Sequence, residues 1–266
     1  MAATRKAATR VSVVRDGARR FDDVVTEEPL QIRVGEVDVA VTMRTPGHDF
    51  ELAVGFLVGE GYVRAREDVG EVKYCLGGVG AAVEQDYNVV TVELRVPFAG
   101  SGAPRATALS AACGLCGKRS IDEVHVQCDD LPASTVPLAL DVLLSLPDVL
   151  RSHQTLFERT GGAHAAGLFG ADGAVIVARE DVGRHNAADK VIGRALLDGR
   201  LPLHDHVLVL SGRASFEMIQ KAALAGVTTV VAVSAPSSLA VAAAERLGVC
   251  LVAFGGNVYA HAERLA

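Results

Sequence analysis

The sequence predicts an α/β protein in which a small mixed α/β N-terminal lobe precedes a larger domain of three-layer α/β/α type, and three observations carry that prediction. From Val207 onward, short and wholly apolar runs alternate with helical periods, which implies parallel strands covered on both faces. Near the N-terminus, two β-branched runs flank Gly35-Glu36 at the spacing of a hairpin with a two-residue turn. Between these regions, Phe98 to Pro104 is a Pro/Gly/Ser/Ala stretch without periodicity. The 266 residues therefore divide into an N-terminal lobe (1–97), a flexible connector (98–136) and a second domain (137–266).

Taken in order, the first ~20 residues carry little pattern and read as a loose arm or an edge strand. Leu30 to Val34 and Val37 to Met43 form the hairpin. A helix follows, opened by Thr45, Pro46 and Asp49, with a broad apolar face from Phe50 to Val58, and ended by Gly59 and Gly61. Val69 to Cys75 and Asn88 to Val96 read as two further strands. In the second domain, helical stretches run through Leu150 and Phe157 to Gly161-Gly162. His164 to Phe169 then pairs with Ala174 to Arg179, and a helix over Arg184 to Leu197 closes at Gly199. The alternation after it predicts strands over Val207 to Leu210, Val227 to Val233 and Val249 to Phe254, with helices over Ser215 to Ala225 and Leu239 to Leu247. In such sheets the ligand lies at the carboxyl ends of the strands, here Ser211-Gly-Arg213, Ser234 to Ser237 and Gly255-Gly-Asn257.

Composition bounds the function. Half the residues are hydrophobic and 22% are charged, so the chain can bury a large core. Its formal charge of −6, from 26 basic and 32 acidic residues, argues against a nucleic-acid coat protein and leaves room only for a local phosphate site. The N-terminal segment has no apolar h-region and no run of 18 apolar residues occurs, so a cytoplasmic protein without a membrane span is expected. Five cysteines in a reducing compartment direct attention to a close pair, Cys113 and Cys116. Each is followed by glycine, and Lys118 and Arg119 favour the reactive thiolate. Half of a zinc site is the alternative, but no second paired-cysteine motif supplies the other ligands, and no metal site is assigned. Cys75, Cys128 and Cys250 stand outside any such motif and are left out of the site.

Two further clusters stand out. Arg184, His185, Asn186 and Lys190 crowd donors at a helix start, where free N–H groups and the dipole favour an anion. Ordinary capping by Asp181 or Asn186 explains the same residues, and composition does not separate the two readings. His164 precedes this cluster. Arg213 stands at a strand end beside Ser211 and Ser215; a helix cap explains Ser215 but not Arg213.

Cys113-Gly-Leu-Cys-Gly117, Thr160-Gly-Gly-Ala-His-Ala-Ala166, Asp181-Val-Gly-Arg-His-Asn-Ala-Ala-Asp-Lys190 and Ser211-Gly-Arg-Ala-Ser-Phe-Glu-Met218, in this order, resemble the formate dehydrogenase accessory sulfurtransferase family, from Glu27 to Tyr259. The resemblance implies a homodimer with a cytidine-deaminase-like second domain. It further implies a sulfurtransferase that accepts sulfur from a cysteine desulfurase as a persulfide and passes it to the Mo- or W-bis(molybdopterin guanine dinucleotide) cofactor of its client, the formate dehydrogenase catalytic subunit. The persulfide falls on Cys113, with Cys116 as its partner in exchange or relay. The family's cofactor-binding segment falls on Phe254, Gly255, Gly256, Asn257, Val258 and Tyr259, which here is short and uncharged where members carry arginine. His164, Arg184, His185, Asn186, Lys190, Ser211, Arg213 and Ser234 complete the expected cofactor site, with GDP as a mimic of the cofactor's nucleotide ends.

Three other classes compete. A zinc nucleobase deaminase uses His-x-Glu with Pro-Cys-x-x-Cys, but Ala166 stands where the glutamate is needed and no proline precedes Cys113. A thiol-disulfide oxidoreductase would place its cysteines near a βαβ unit rather than after a linker. A noncatalytic cofactor-delivery chaperone with its cysteines clipped by zinc differs from a sulfur carrier in metal content.

Overall fold

The computed structural model describes residues 6–76, 85–98, 131–132 and 138–266. The expected connector, with Cys113, Cys116 and Cys128, falls outside these residues almost entirely. The first elements are a ribbon of β1 (Ala8–Arg15) and β2 (Ala18–Val25). Of the two expectations for this segment, a loose arm or an edge strand, the strand holds, here paired as a ribbon because Asp16-Gly17 takes positive φ (54° and 76°), as a tight two-residue hairpin turn requires.

The N-terminal lobe is a four-stranded sheet in the order β4-β3-β6-β5, made of β3 (Glu28–Val34), β4 (Val37–Arg44), β5 (Val69–Leu76) and β6 (Gln85–Leu94). Gly35-Glu36 joins β3 to β4 as expected. Against the sheet lies α1 (Asp49–Gly59), in which every residue but Phe50 is buried. A helix apolar all round has protein on both sides. One side of α1 takes Leu30, Ile32, Val90 and Val92 of the sheet; the other meets the second domain.

That domain begins with α2 (Leu140–Ser152) and α3 (Thr155–Thr160). The hairpin of β7 (His164–Gly170) and β8 (Val175–Asp181) follows, then α4 (Arg184–Leu197). The alternation appears as β9 (His206–Arg213), α5 (Phe216–Leu224), β10 (Thr229–Ser234), α6 (Ser238–Leu247) and β11 (Cys250–Ala253). A last strand, β12 (Asn257–Ala260), turns back against β11. The sheet order is β12-β11-β10-β9-β7-β8, with β9, β10 and β11 parallel as their apolar runs predicted. Alternate residues serve two cores. Leu208, Leu210, Val230, Ala232 and Leu251 share one with α4, α5 and α6, whereas Val207, Val209, Val231, Cys250 and Val252 share the other with Leu143, Leu146 and Leu150 of α2. This is the three-layer α/β/α arrangement.

The lobes join where α1 crosses α4 at backbone contact. A Cβ on Gly55 would lie 1.8 Å from the carbonyl oxygen of Asp189, and one on Gly193 would lie 1.8 Å from that of Glu51. The crossing is flanked by a bidentate ion pair, Arg179 Nε and Nη2 to the two oxygens of Glu51 at 2.6 and 2.9 Å. Burial pushes the Glu51 carboxyl up, but hydrogen bonds from Arg179 and His48, with their charges, outweigh it and hold the pKa at about 2.

Two outcomes follow from this junction. Gly193→Ala forces the helices apart and lowers stability by roughly 2–3 kcal/mol, read as a fall in the urea midpoint at unchanged slope. Because Glu51 titrates below its ordinary value when folded, its contribution is present above about 4.5 and is lost as pH falls through about 2. Glu51→Gln therefore costs roughly 2 kcal/mol at pH 7, and chemical denaturation across a pH series shows the gap from wild type closing below pH ~4.

Candidate functional site

The carboxyl ends of β9, β10 and β11 open into a cleft roofed by α2. One cavity of about 460 Å³ is lined by Pro147, Asp148, Arg151, Gln154, Phe157, His164, Ser211 and Val233, with Gly161, Gly162 and Ala163 along one side. A second, of about 280 Å³, adjoins it through Pro147 and Val233 and is more apolar, with Leu144, Val252, Ala253, Gly255 and Gly256 in its wall. Parallel strands end together with backbone groups unpaired on one side, so the cleft lies where the strand order placed it.

Local chemistry positions each wall. The N-terminus of α3 lacks a side-chain cap of its own; Glu180 of β8 accepts the N–H groups of Leu156 and Phe157 at 2.8 and 2.7 Å instead. The Arg151 guanidinium lies over the Phe157 ring, 4.7 Å from its centre, so a cation and an aromatic face stand together at the rim. Ser211 Oγ accepts the Ala165 N–H at 2.8 Å, which ties β9 to β7 and leaves the hydroxyl proton for a donor role. The half-buried His164 imidazole is shifted below its ordinary pKa by burial and by the Arg184 cation, against a smaller opposing effect of Asp181. It is therefore neutral at pH 7 and offers one donor and one acceptor. Gly212 lets His164 and Arg184 approach from either side: a Cβ there would be 3.5 Å from His164 Nδ1 and 3.8 Å from Arg184 Cδ.

Of the residues expected to bind the cofactor, His164, Ser211, Gly255 and Gly256 line the cleft, and Ser234 ends β10 next to the shared wall residue Val233. Phe254 is 61% exposed at the turn into β12, at φ 49°, followed by Gly255 and Gly256 at 75° and 106°. Asn257, Val258 and Tyr259 belong to β12, and Asn257 Nδ2 donates to the Phe254 carbonyl at 3.1 Å.

Three expectations are corrected. Lys190 is 1% exposed and pairs with the wholly buried Asp181 at 2.7 Å, while its ammonium also donates to the Thr45 carbonyl at 2.9 Å. Asn186 donates to the Met43 carbonyl at 2.7 Å and to Asp181 at 3.0 Å, and accepts from Thr42 at 3.2 Å. Asn186 holds α4 to β4 and Lys190 holds it to Thr45 just after β4, both across the lobe junction, and neither lines the two cavities. Arg213 is exposed and lines neither of these two cavities, so among the described residues it does not stand in the desolvated setting expected for it. His185 is buried with Nε2 4.0 Å from Glu217 Oε2, on the α4–α5 side of the sheet. Cys250 is fully buried, which pushes its thiol up to about 11, an unreactive packing residue as expected. Among the described residues, no group of three or more His, Cys, Asp or Glu side chains is arranged to hold a metal ion.

The cleft residues that sequence reading missed are Leu144, Pro147, Asp148, Arg151, Gln154 and Phe157. For the four on α2 the signal is the 144, 147/148, 151 spacing beside its buried stripe, which becomes legible only once α2 is known to roof the strand ends; Gln154 and Phe157 belong to the start of α3 and carry no such period.

Comparison with known proteins agrees with this geometry. The model of the FdhD/NarQ family matches residues 25–266. A protein of Nocardia farcinica named "Sulfur carrier protein FdhD" is 52% identical over 252 residues, covering 93% of this chain and 89% of its own. Proteins of the same name from Streptomyces coelicolor and Mycobacterium tuberculosis are 48% and 49% identical, covering 97% and 92% of this chain and 94% and 92% of their own. A solved structure described as a putative formate dehydrogenase accessory protein from Desulfotalea psychrophila superposes with a TM-score of 0.73 at 26% identity. The match covers 97% of this chain and 98% of that one. With residues 25–266 inside the match, the chain belongs to the FdhD/NarQ family.

Proposed function

We propose that this chain is a sulfur carrier that supports formate dehydrogenase. In this reading it takes sulfur from a cysteine desulfurase onto Cys113 and passes it to the Mo- or W-bis(molybdopterin guanine dinucleotide) cofactor, bound as its substrate in the cleft under α2. The observation that carries the reading is the occurrence of a Cys-Gly-Leu-Cys-Gly segment in a chain matched over nine-tenths of its length by relatives named sulfur carriers.

The chemistry balances within the pair of cysteines. The Cys113 thiolate attacks the outer sulfur of the donor persulfide; a new S–S bond forms as the donor's breaks, and the donor cysteine leaves as thiolate. Attack by the Cys116 thiolate on the inner sulfur of Cys113 then closes a disulfide and expels hydrosulfide, so the two thiols supply the two electrons that reduce the transferred sulfur. The cleft supports binding of the acceptor. Arg151 and Phe157 offer a cation and a ring face at the rim, and neutral His164 and Ser211 offer hydrogen bonds inside. The protein works in the cytoplasm, where thiols are kept reduced. Among the described residues, no helix is long and apolar enough to cross a membrane.

Incubation of the purified protein with a cysteine desulfurase and cysteine gives a sulfur adduct on Cys113 by mass spectrometry. Cys113→Ala abolishes the adduct and the client's activity with an unchanged circular dichroism spectrum. Unfolding of that variant with loss of bound zinc would instead identify a metal clip.

GDP titrated calorimetrically binds the cleft. His164→Ala weakens it roughly 2–10-fold, the worth of one neutral hydrogen bond. Arg213→Ala leaves the affinity unchanged, because that side chain stands outside both cavities. Absence of GDP binding by the wild type removes the nucleotide cleft and leaves the cysteine chemistry standing.

A further inference from the structure

Gln154 occupies the position just before α3, where a side-chain oxygen can accept the free N–H groups of the first turn. It does not do so. Glu180 of β8 accepts the Leu156 and Phe157 N–H groups instead, so the Gln154 amide is released from the helix it precedes. The residue is 6% exposed and lines the larger cavity, yet only its backbone is bonded. Its N–H donates to the Arg151 carbonyl at 3.2 Å, and its carbonyl accepts from the Glu158 N–H at 2.9 Å and from Arg151 Nη1 at 3.5 Å. Among the described residues the side-chain amide has no partner. An amide buried to this degree is costly to leave unpaired, and here its donor and its acceptor are left for whatever occupies the cavity.

Asp148 stands in the same wall, exposed, one turn before Arg151 on α2. The two are not ion-paired: the Arg151 guanidinium lies over the Phe157 ring and reaches the Gln154 carbonyl, and among the described residues the Asp148 carboxylate has no partner. A carboxylate only accepts, so its ligand must present N–H or O–H groups, best two side by side. The Arg151 cation one turn away opposes a second positive charge there, which favours a neutral ring with paired N–H donors over a guanidinium or an ammonium. The Gln154 amide adds one donor for a ring carbonyl, and the Phe157 ring adds an apolar face. Carbonyl, ring N–H and exocyclic amino group in a row form the edge of a 2-amino-4-oxopyrimidine, the unit common to guanine and pterin. A base that turns a ring acceptor to the carboxylate, as adenine does, is rejected.

We propose that Asp148 and Gln154 determine the specificity of the cleft by reading the 2-amino-4-oxopyrimidine edge of a guanine or pterin ring. Asp148 accepts from the ring N–H and the 2-amino group, and Gln154 Nε2 donates to the carbonyl. The inference rests on the reading of the cleft as the site that holds the cofactor, whose nucleotide and pterin parts both carry this edge.

Paired ligands test it, with calorimetry for the nucleotides and ring fluorescence for the pteridines. Replacing the 2-amino group by a carbonyl, as in XDP and lumazine, turns a donor facing Asp148 into an acceptor. Wild type therefore binds GDP over XDP, or pterin over lumazine, by roughly tenfold or more, and the pair that binds identifies the ring the site holds. Asp148→Asn, at an exposed helical position, reverses the preference, since its amide donates to the new carbonyl while its oxygen still accepts from the ring N–H. Gln154→Leu weakens both members of the pair alike, roughly 2–10-fold, because the carbonyl it serves is common to both. Its urea midpoint does not fall, since the amide it removes holds nothing within the chain. Equal affinities of wild type for both members of each pair, or an unchanged preference in Asp148→Asn, would overturn the inference and leave the cleft as a cofactor site. Absence of binding by GDP and pterin alike overturns it together with the cleft.

Discussion

The molecule depends on the approach of α1 to α4 at Gly55 and Gly193. No side chain fits between these helices there, so their backbones meet and the apolar surface on either side closes into one core running from the N-terminal sheet to α6. Interiors are packed as densely as organic crystals, and a helix pair seated this closely cannot slide without opening voids over many neighbours. The N-terminal strands and the three-layer domain are thereby held to each other through a helix that has almost no solvent-facing side.

Around this crossing the chain buries charges that would be costly alone. Lys190 meets Asp181, and Lys221 meets Asp189 at 2.7 Å. Arg44 grips Asp49 through two bonds at 3.0 and 2.9 Å, and Arg179 grips Glu51. Desolvation of either partner alone would exceed what the pair returns, so such pairs favour the one docking geometry that satisfies every member. Burial pushes the Asp189 carboxyl up to about 6 even with Lys221 beside it. The same requirement removes Asn186 and Lys190 from ligand binding: their polar atoms are consumed by Met43, Thr45 and Asp181 across the junction.

With one side of the sheet committed to α4, α5 and α6, the opening lies on the other side, where α2 covers the strand ends. The wall is made by whatever α2 and α3 present there, and this composes the cleft from Asp148, Arg151, Gln154 and Phe157 together with His164 and Ser211. The cleft combines an apolar half with a half rich in donors and acceptors, the makeup of small-molecule and cofactor sites generally.

Period and punctuation determined the local structure. Gly35-Glu36 between β-branched runs set the β3–β4 hairpin, the apolar runs after Val207 set three parallel strands, and the unreactive place of Cys250 followed from its strand. Asp16-Gly17 and Gly255-Gly256-Asn257 were equally legible turn signals for the first ribbon and for β12, though only the surrounding pattern makes them compelling. Motif order and the paired cysteines placed the chain in its family. Tertiary structure alone decided which charges bind and which are buried. Arg184, Asn186 and Lys190 stand within seven residues on one helix, and local sequence leaves all three open to an anion site or to ordinary capping. Helical geometry turns Asn186 and Lys190 toward the Thr42–Thr45 segment at the end of β4, some 140 positions earlier, and leaves Arg184 beside His164. That separation depends on contacts between residues far apart in the chain, and neither period nor spacing carries information about them.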